Sequence, residues 1–161
     1  MVTSARGVPS PDPWRCSSAG TVRSASSRAA PRVLLVEDEP CGRDSLTRFL
    51  KHRGYPVDGA ADLDAALTTL ADLPLDAVVL DILFPDTSGP LRSGLDLLVW
   101  IRQRPTLARL PVVILTGQPL DDAMFALVVQ HGAMLFYTPE EYAKVVRDLD
   151  QIVRRRRDSD D

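Results

Sequence analysis

The sequence predicts an α/β fold, a doubly wound sheet of five parallel strands with helices on both faces. Three observations predict it. Short apolar runs of strand length alternate with longer stretches of helical periodicity. The clearest runs are apolar throughout, as strands buried on both faces are. Two of them end abruptly in acidic residues, a common start for a loop.

The elements follow in order. Arg32-Val-Leu-Leu-Val36 reads as a buried first strand. After Pro40, Leu46, Phe49 and Leu50 fall at helical spacing, and Gly54 ends that helix. Tyr55 to Ala60 gives a short second strand, and Leu63, Ala66, Leu67 and Leu70 mark a second helix. Asp76-Ala-Val-Val-Leu-Asp81 is the third strand, with an acidic carboxyl end. A loop containing proline and glycine runs from Phe84 to Ser93, and the next helix carries Leu95, Leu98 and Ile101. Pro111-Val-Val-Ile-Leu115 is the fourth strand, with Thr116-Gly117 at its end. Asp121 to Gln130 is helical by pattern, and Ala133 to Tyr137 reads as the fifth strand. The last helix aligns Tyr142, Val145, Val146, Leu149, Ile152 and Val153 on one stripe. Five βα units in about 120 residues make one domain with right-handed crossovers.

The folded part is expected at residues 32 to 153. Residues 1 to 31 hold four arginines (Arg6, Arg15, Arg23, Arg28) against one acid, Asp12, and lack apolar periodicity. A disordered extension is the expectation, with an organelle transit peptide as the alternative. Residues 154 to 161, four arginines and then Asp-Ser-Asp-Asp, read as a charged C-terminal tail at a solvated helix end. The net charge of −3 argues against nucleic acid as a direct partner. No apolar run approaches the roughly 20 residues of a membrane span. Cys16 and Cys41 form no metal or disulfide pattern, which fits a reduced, cytoplasmic location.

In an open parallel sheet, chemistry gathers outside the carboxyl ends of the strands. Those ends carry Glu37 and Asp38 after the first strand, Asp81 after the third and Thr116 after the fourth. If these strands are neighbours, three carboxylates converge. Two charges 4 Å apart repel by about 4 kcal/mol at an effective dielectric of 20. A hard divalent cation would neutralise such a cluster, and a few oxygen ligands with room for water suit Mg²⁺ better than zinc. Any one of these acids is equally well explained as a loop starter or helix cap. All three together, with a hydroxyl at the fourth strand end, point to a site.

In these residues the chain resembles the receiver domains of two-component response regulators, over Arg32 to about Val153. Val33-Leu-Leu-Val-Glu-Asp-Glu-Pro40 matches the family's first strand and acidic pair, and Gly54-Tyr55-Pro-Val57 its second-strand start. Asp81-Ile-Leu-Phe-Pro85 matches the phosphoacceptor strand end, and Val113-Ile-Leu-Thr-Gly117 the fourth strand with its hydroxyl residue. Gly132-Ala133 and Pro139 flank the fifth strand as in the family. The resemblance implies a flavodoxin-like (βα)5 receiver. It implies that Glu37, Asp38 and Asp81 hold Mg²⁺, helped by the backbone carbonyl of Leu83. It implies that Asp81 takes a phosphoryl group from a sensor histidine kinase or phosphotransfer protein. The Thr116 hydroxyl would then hydrogen-bond the phosphoryl oxygen. Phosphoryl transfer needs alignment and charge neutralisation above all, which agrees with this residue set.

Three features depart from the family. Thr138 stands before Pro139, where receivers place a lysine that contacts the phosphoryl group. Thr138-Pro-Glu-Glu141 reads instead as a capping box for the last helix, with Lys144 a turn further on. Phe136 and Tyr137 compete for the family's aromatic switch position. The loop from Asp86 to Ser93 carries about five extra residues if Gly94 is the family's loop glycine; the extra length is either a neutral decoration or a partner-specific element. In the fourth helix Met124, Leu127 and Val128 make the expected buried stripe, yet Phe125, Ala126 and Val129 fall outside it. That pattern favours a contact surface.

The first functional reading is a stand-alone receiver, since no output domain follows Val153. It is a phosphoacceptor signalling domain rather than an enzyme, and signals to a downstream protein through the face from fourth to fifth helix. The same face would serve a homodimer. The alternative is a degenerate receiver that binds or dimerises without phosphate. A Mg²⁺-dependent aspartyl phosphatase is the third reading; Glu37-Asp38-Glu39-Pro40 does not match the Asp-x-Asp those enzymes carry after their first strand.

Overall fold

A computed structural model describes residues 29–84, 89–138 and 141–159. The elements alternate strictly: β1 (Val33–Val36), α1 (Pro40–His52), β2 (Val57–Ala60), α2 (Leu63–Asp72), β3 (Ala77–Asp81), α3 (Gly94–Arg102), β4 (Val112–Thr116), α4 (Asp122–Gln130), β5 (Met134–Tyr137) and α5 (Tyr142–Ser159). The strands form one parallel sheet in the order β2-β1-β3-β4-β5. Each expected element is present, with β2 starting two residues later than the sequence pattern suggests because Pro56 cannot donate to the ladder.

The continuous apolar strands are explained by two cores. Leu34, Val36, Val78, Leu80, Val112 and Ile114 face a cluster with α2, α3 and Val128 of α4. Their strand neighbours Val33, Leu35, Ala77, Val79, Val113, Leu115 and Phe136 face a second cluster with α1 and α5. Successive side chains point to opposite faces, so a strand covered on both sides has no place for a polar residue until it ends. The helix starts are set by side-chain caps. Glu39, Asp62, Ser93 and Asp121 accept backbone N–H groups of the first turns of α1, α2, α3 and α4. At the end of α1, Gly54 takes φ +90°, which a residue with a Cβ rarely adopts.

Three local expectations are corrected. The charged tail assigned from residue 154 is helix: α5 runs to Ser159. Arg156 donates to the carbonyls of Leu75 and Asp76 at 3.2 and 3.3 Å. Arg157 grips the Asp76 carboxylate through Nε and Nη2 at 3.0 and 3.1 Å and donates to the Ala29 carbonyl. The planar fork of arginine matches a carboxylate, so a run that pattern reads as solvated charge pins α5 beneath β3.

The capping box is displaced. The Thr138 N–H donates across to the Thr116 carbonyl at 3.0 Å, and the Glu141 carboxylate accepts from Tyr137 N–H at 2.7 Å instead. Pro139 and Glu140 lie outside the described residues. The buried stripe of α4 is narrower than expected, with Met124 and Leu127 only half-buried. The helix packs on α3 and on the edge strand β5, with Phe125, Ala126 and Val129 exposed on its outer side. The loop before α3 is tied down where it is described. Leu91 packs against the core, and Arg92 N–H donates to Asp96 at 2.8 Å. Thr87 and Ser88 lie outside the described residues.

Candidate functional site

The strand order brings the acids together. β1 and β3 are neighbours with Val36 opposite Leu80, so Glu37 and Asp81 leave the sheet side by side. The period of two turns both toward the α1–α5 face, below the first turn of α1. Asp38 follows in the loop. One carboxylate oxygen from each of Glu37, Asp38 and Asp81 lies within 4.8 Å of the others. All three side chains are half-buried.

The electrostatics record the crowding. The Glu37 carboxyl is pushed up to about 7, first by burial, then by the Asp81 charge, with smaller contributions from Asp38 and Glu39. The Glu39 N–H, donating to Glu37 at 3.2 Å, pulls the other way. Asp81 is also raised, chiefly by burial and in small part by Asp38. Its Oδ1 accepts from Ile82 N–H at 2.6 Å and Leu83 N–H at 3.4 Å, and these bonds favour the ionised form. A cluster of hard oxygen donors that repel one another this strongly fits a small, hard divalent cation.

Thr116 sits at the end of β4, one residue beyond Leu115, which is level with Asp81. It is the only buried polar residue among those described, at 2% exposure. Its hydroxyl donates to the Gln118 carbonyl at 3.1 Å and accepts from the Gln118 N–H at 3.2 Å. It therefore holds the β4–α4 loop closed upon itself. Leu83 is exposed. The Lys144 ammonium pairs with Glu141 at 3.1 Å and lies 5.5 Å from the Phe136 ring centre. Phe136 is buried, and Tyr137 is 40% exposed. Phe125 and Val129 are more exposed still, at 52% and 61%, so the face shared by α4 and β5 is apolar and open.

Two residues near the acids escaped sequence reasoning. Arg43, one turn into α1, donates from Nη1 to the carbonyls of Glu37 and Asp38 at 2.8 and 3.1 Å. It clamps the backbone that carries the acidic pair. Its only sequence signal is its place five residues after Asp38. Tyr142 was read as part of the α5 stripe. Its phenol is raised by burial first and then by the charges of Glu37, Asp81 and Glu39, so it faces the acidic cluster from the start of α5. Gly94 packs against the backbone of the acceptor strand: its N–H donates to the Ile82 carbonyl at 2.9 Å, and a Cβ there would collide with the Asp81 carbonyl.

Comparison with known proteins agrees with this geometry. Residues 33–139 match the family model described as the response regulator receiver domain. The chain belongs to that family. Among curated relatives, the protein named "Probable transcriptional regulatory protein TcrX" of Mycobacterium tuberculosis is 31% identical over 124 residues, covering 76% of this chain and 50% of that protein. The response regulator MprA of Mycobacterium sp. (strain KMS) is 38% identical over 87 residues, covering 54% of this chain and 35% of that protein. The chain thus spans half or less of the length of these two relatives.

Among solved structures, the receiver domain of a signal transduction histidine kinase from Syntrophus aciditrophicus superposes with a TM-score of 0.67 at 23% identity. That match covers 77% of this chain and 90% of the other. The response regulator TrrA from Thermotoga maritima, solved in complex with Mg²⁺-BeF, gives 0.65 at 23% identity over 76% and 98% of the two chains. These likenesses establish the five-stranded receiver fold. Family membership and fold thus agree on a receiver domain. No helix among the described residues is long and apolar enough to cross a membrane.

Proposed function

We propose that Asp81 is the phosphoacceptor of this receiver and that Glu37, Asp38, Asp81 and the Leu83 carbonyl hold Mg²⁺ beside it. The observation that carries the proposal is the meeting of three carboxylate oxygens within 4.8 Å at the carboxyl ends of β1 and β3. In the transfer, an Asp81 carboxylate oxygen attacks phosphorus, the P–N bond of a phosphohistidine on a sensor kinase or phosphotransfer protein breaks, and an acyl phosphate remains. When bound, Mg²⁺ neutralises the carboxylates and the incoming phosphoryl oxygens. The N–H groups of Ile82 and Leu83 fix the Asp81 carboxylate through Oδ1, leaving its other oxygen for attack. Arg43 keeps the acidic pair in register by holding its carbonyls. The Thr116 hydroxyl can reach a phosphoryl oxygen only by giving up its donor bond to Gln118.

That requirement, with Thr138 in place of the lysine, supports a second reading. The open face of α4 and β5, with Phe125, Val129 and Tyr137 exposed, then binds a downstream protein or a second copy whether or not Asp81 is phosphorylated. The location is cytoplasmic in either reading.

Beryllofluoride, a phosphoryl mimic, tests both. With Mg²⁺ it should raise the melting temperature of the wild type and leave Asp81→Asn unchanged. Equal response in both proteins would remove the phosphoacceptor reading. A response at Asp81 without any change in hydrogen exchange of α4 favours the second.

A further inference from the structure

At the opposite ends of the strands from the acids, the turn leading into β4 and the turn leading into β5 border a second recess. It measures about 450 Å³ and is closed on one side by Ile152 of α5. The polar side chains that line it are two arginines and a histidine, Arg102, Arg109 and His131. The remainder of the lining is apolar and includes Leu110 and Met134.

Arg102, the last residue of α3, is half-buried there. Its Nε donates to the His131 carbonyl and its Nη1 to the Leu110 carbonyl, both at 2.7 Å. Those bonds staple the two turns together. Both acceptors are neutral, however, and no carboxylate among the described residues forms an ion pair with Arg102 or with the exposed Arg109. Burial alone lowers the Arg102 guanidinium, with no neighbouring acid drawing it back up. Taking a cation out of water without a counter-charge is costly, and a bound anion removes that cost. Two arginine ties beneath the sheet do have an acid: Arg157 has Asp76, and Arg32 has Asp58. A recess of this size is within the range of small-ligand sites.

We propose that this recess binds a small anion, a phosphate or carboxylate group on a compact apolar body. The charged group lies between Arg102 and Arg109, and the apolar body rests on Leu110, Met134 and Ile152. Such a ligand bridges the end of α3, the end of α4 and α5, so it is a second site that leaves the acidic pocket untouched.

The test is titration of the Mg²⁺-free full chain with phenyl phosphate, benzoate, inorganic phosphate and benzyl alcohol, followed by calorimetry and by backbone amide shifts. Without Mg²⁺ the acidic pocket repels these anions. Phenyl phosphate or benzoate should shift the amides of His131 to Met134 and bind more tightly than inorganic phosphate, with benzyl alcohol inert. Arg109→Glu, on an exposed turn, should weaken binding about tenfold or more with an unchanged melting temperature. Arg102→Lys, which keeps the charge but loses the fork, should weaken it too. If the lysine variant does not fold, Arg109→Glu decides alone. No amide shift at millimolar phenyl phosphate, or equal affinity in wild type and Arg109→Glu, overturns the proposal.

Discussion

Binding of Mg²⁺ to this receiver should weaken as the pH falls below 7, and Glu37 is the reason. Its carboxyl is raised to about 7 by burial and by Asp81. In the metal-free protein about nine-tenths of Glu37 is then protonated at pH 6 and about a tenth at pH 8. A cation coordinated by Glu37 must displace that proton, so its apparent Kd rises about tenfold from pH 8 to pH 6. The sign for stability follows from the same shift. A carboxyl whose folded pKa lies above its unfolded value costs stability above that unfolded value. The metal-free protein therefore gains stability as pH falls from 8 through 7, and Mg²⁺ opposes the trend. Calorimetric titration in two buffers of different ionisation enthalpy measures both the affinity and the proton released. Glu37→Gln should bind more weakly but with a nearly flat profile from pH 6 to 8. An affinity independent of pH in the wild type, or an unchanged slope in Glu37→Gln, would refute the assignment of that proton to Glu37.

Other substitutions probe the surroundings. Gly94→Ala puts a methyl group against the Asp81 carbonyl and 3.0 Å from the Ile82 Cα, so backbone must shift. The cost should reach the upper end of about 1–3 kcal/mol in denaturant melts, together with loss of Mg²⁺ affinity. Arg157→Ala breaks the bidentate tie to Asp76 and should cost about 1–2 kcal/mol at its partly exposed position, without altering Mg²⁺ affinity. Thr138→Lys should increase the beryllofluoride-dependent change in hydrogen exchange of β5 and α4. A large change already present in the wild type and not increased by the substitution would show that Thr138 does not limit the switch.

The fold was legible because its strands are short, apolar and separated by clear helix periods. Val33–Val36 and Ala77–Asp81 need burial on both faces, and only a doubly wound sheet supplies it. Glu37, Asp38 and Asp81 were legible because strand ends are where a parallel sheet opens to solvent. What sequence missed depends on contacts far apart in the chain. The tie between Arg157 and Asp76 joins residues 81 positions apart, so a local charge pattern cannot reveal it. Arg43 and Tyr142 reach the acids through helix geometry, and their positions read equally well as surface and core stripe. Thr138 looked like a cap because its neighbours fit the capping pattern. Its N–H instead continues the pairing of β5 with β4 toward Thr116, and the cap moved one residue earlier.

In the proposed function, Asp81 takes a phosphoryl group with the help of a metal held by its acidic neighbours. Intact-mass measurement after incubation with acetyl phosphate tests it most directly. With millimolar Mg²⁺ the wild type should gain one phosphoryl mass, labile in base as an acyl phosphate is, and Asp81→Asn should gain none. An unmodified wild type, or equal modification of Asp81→Asn, would contradict the account.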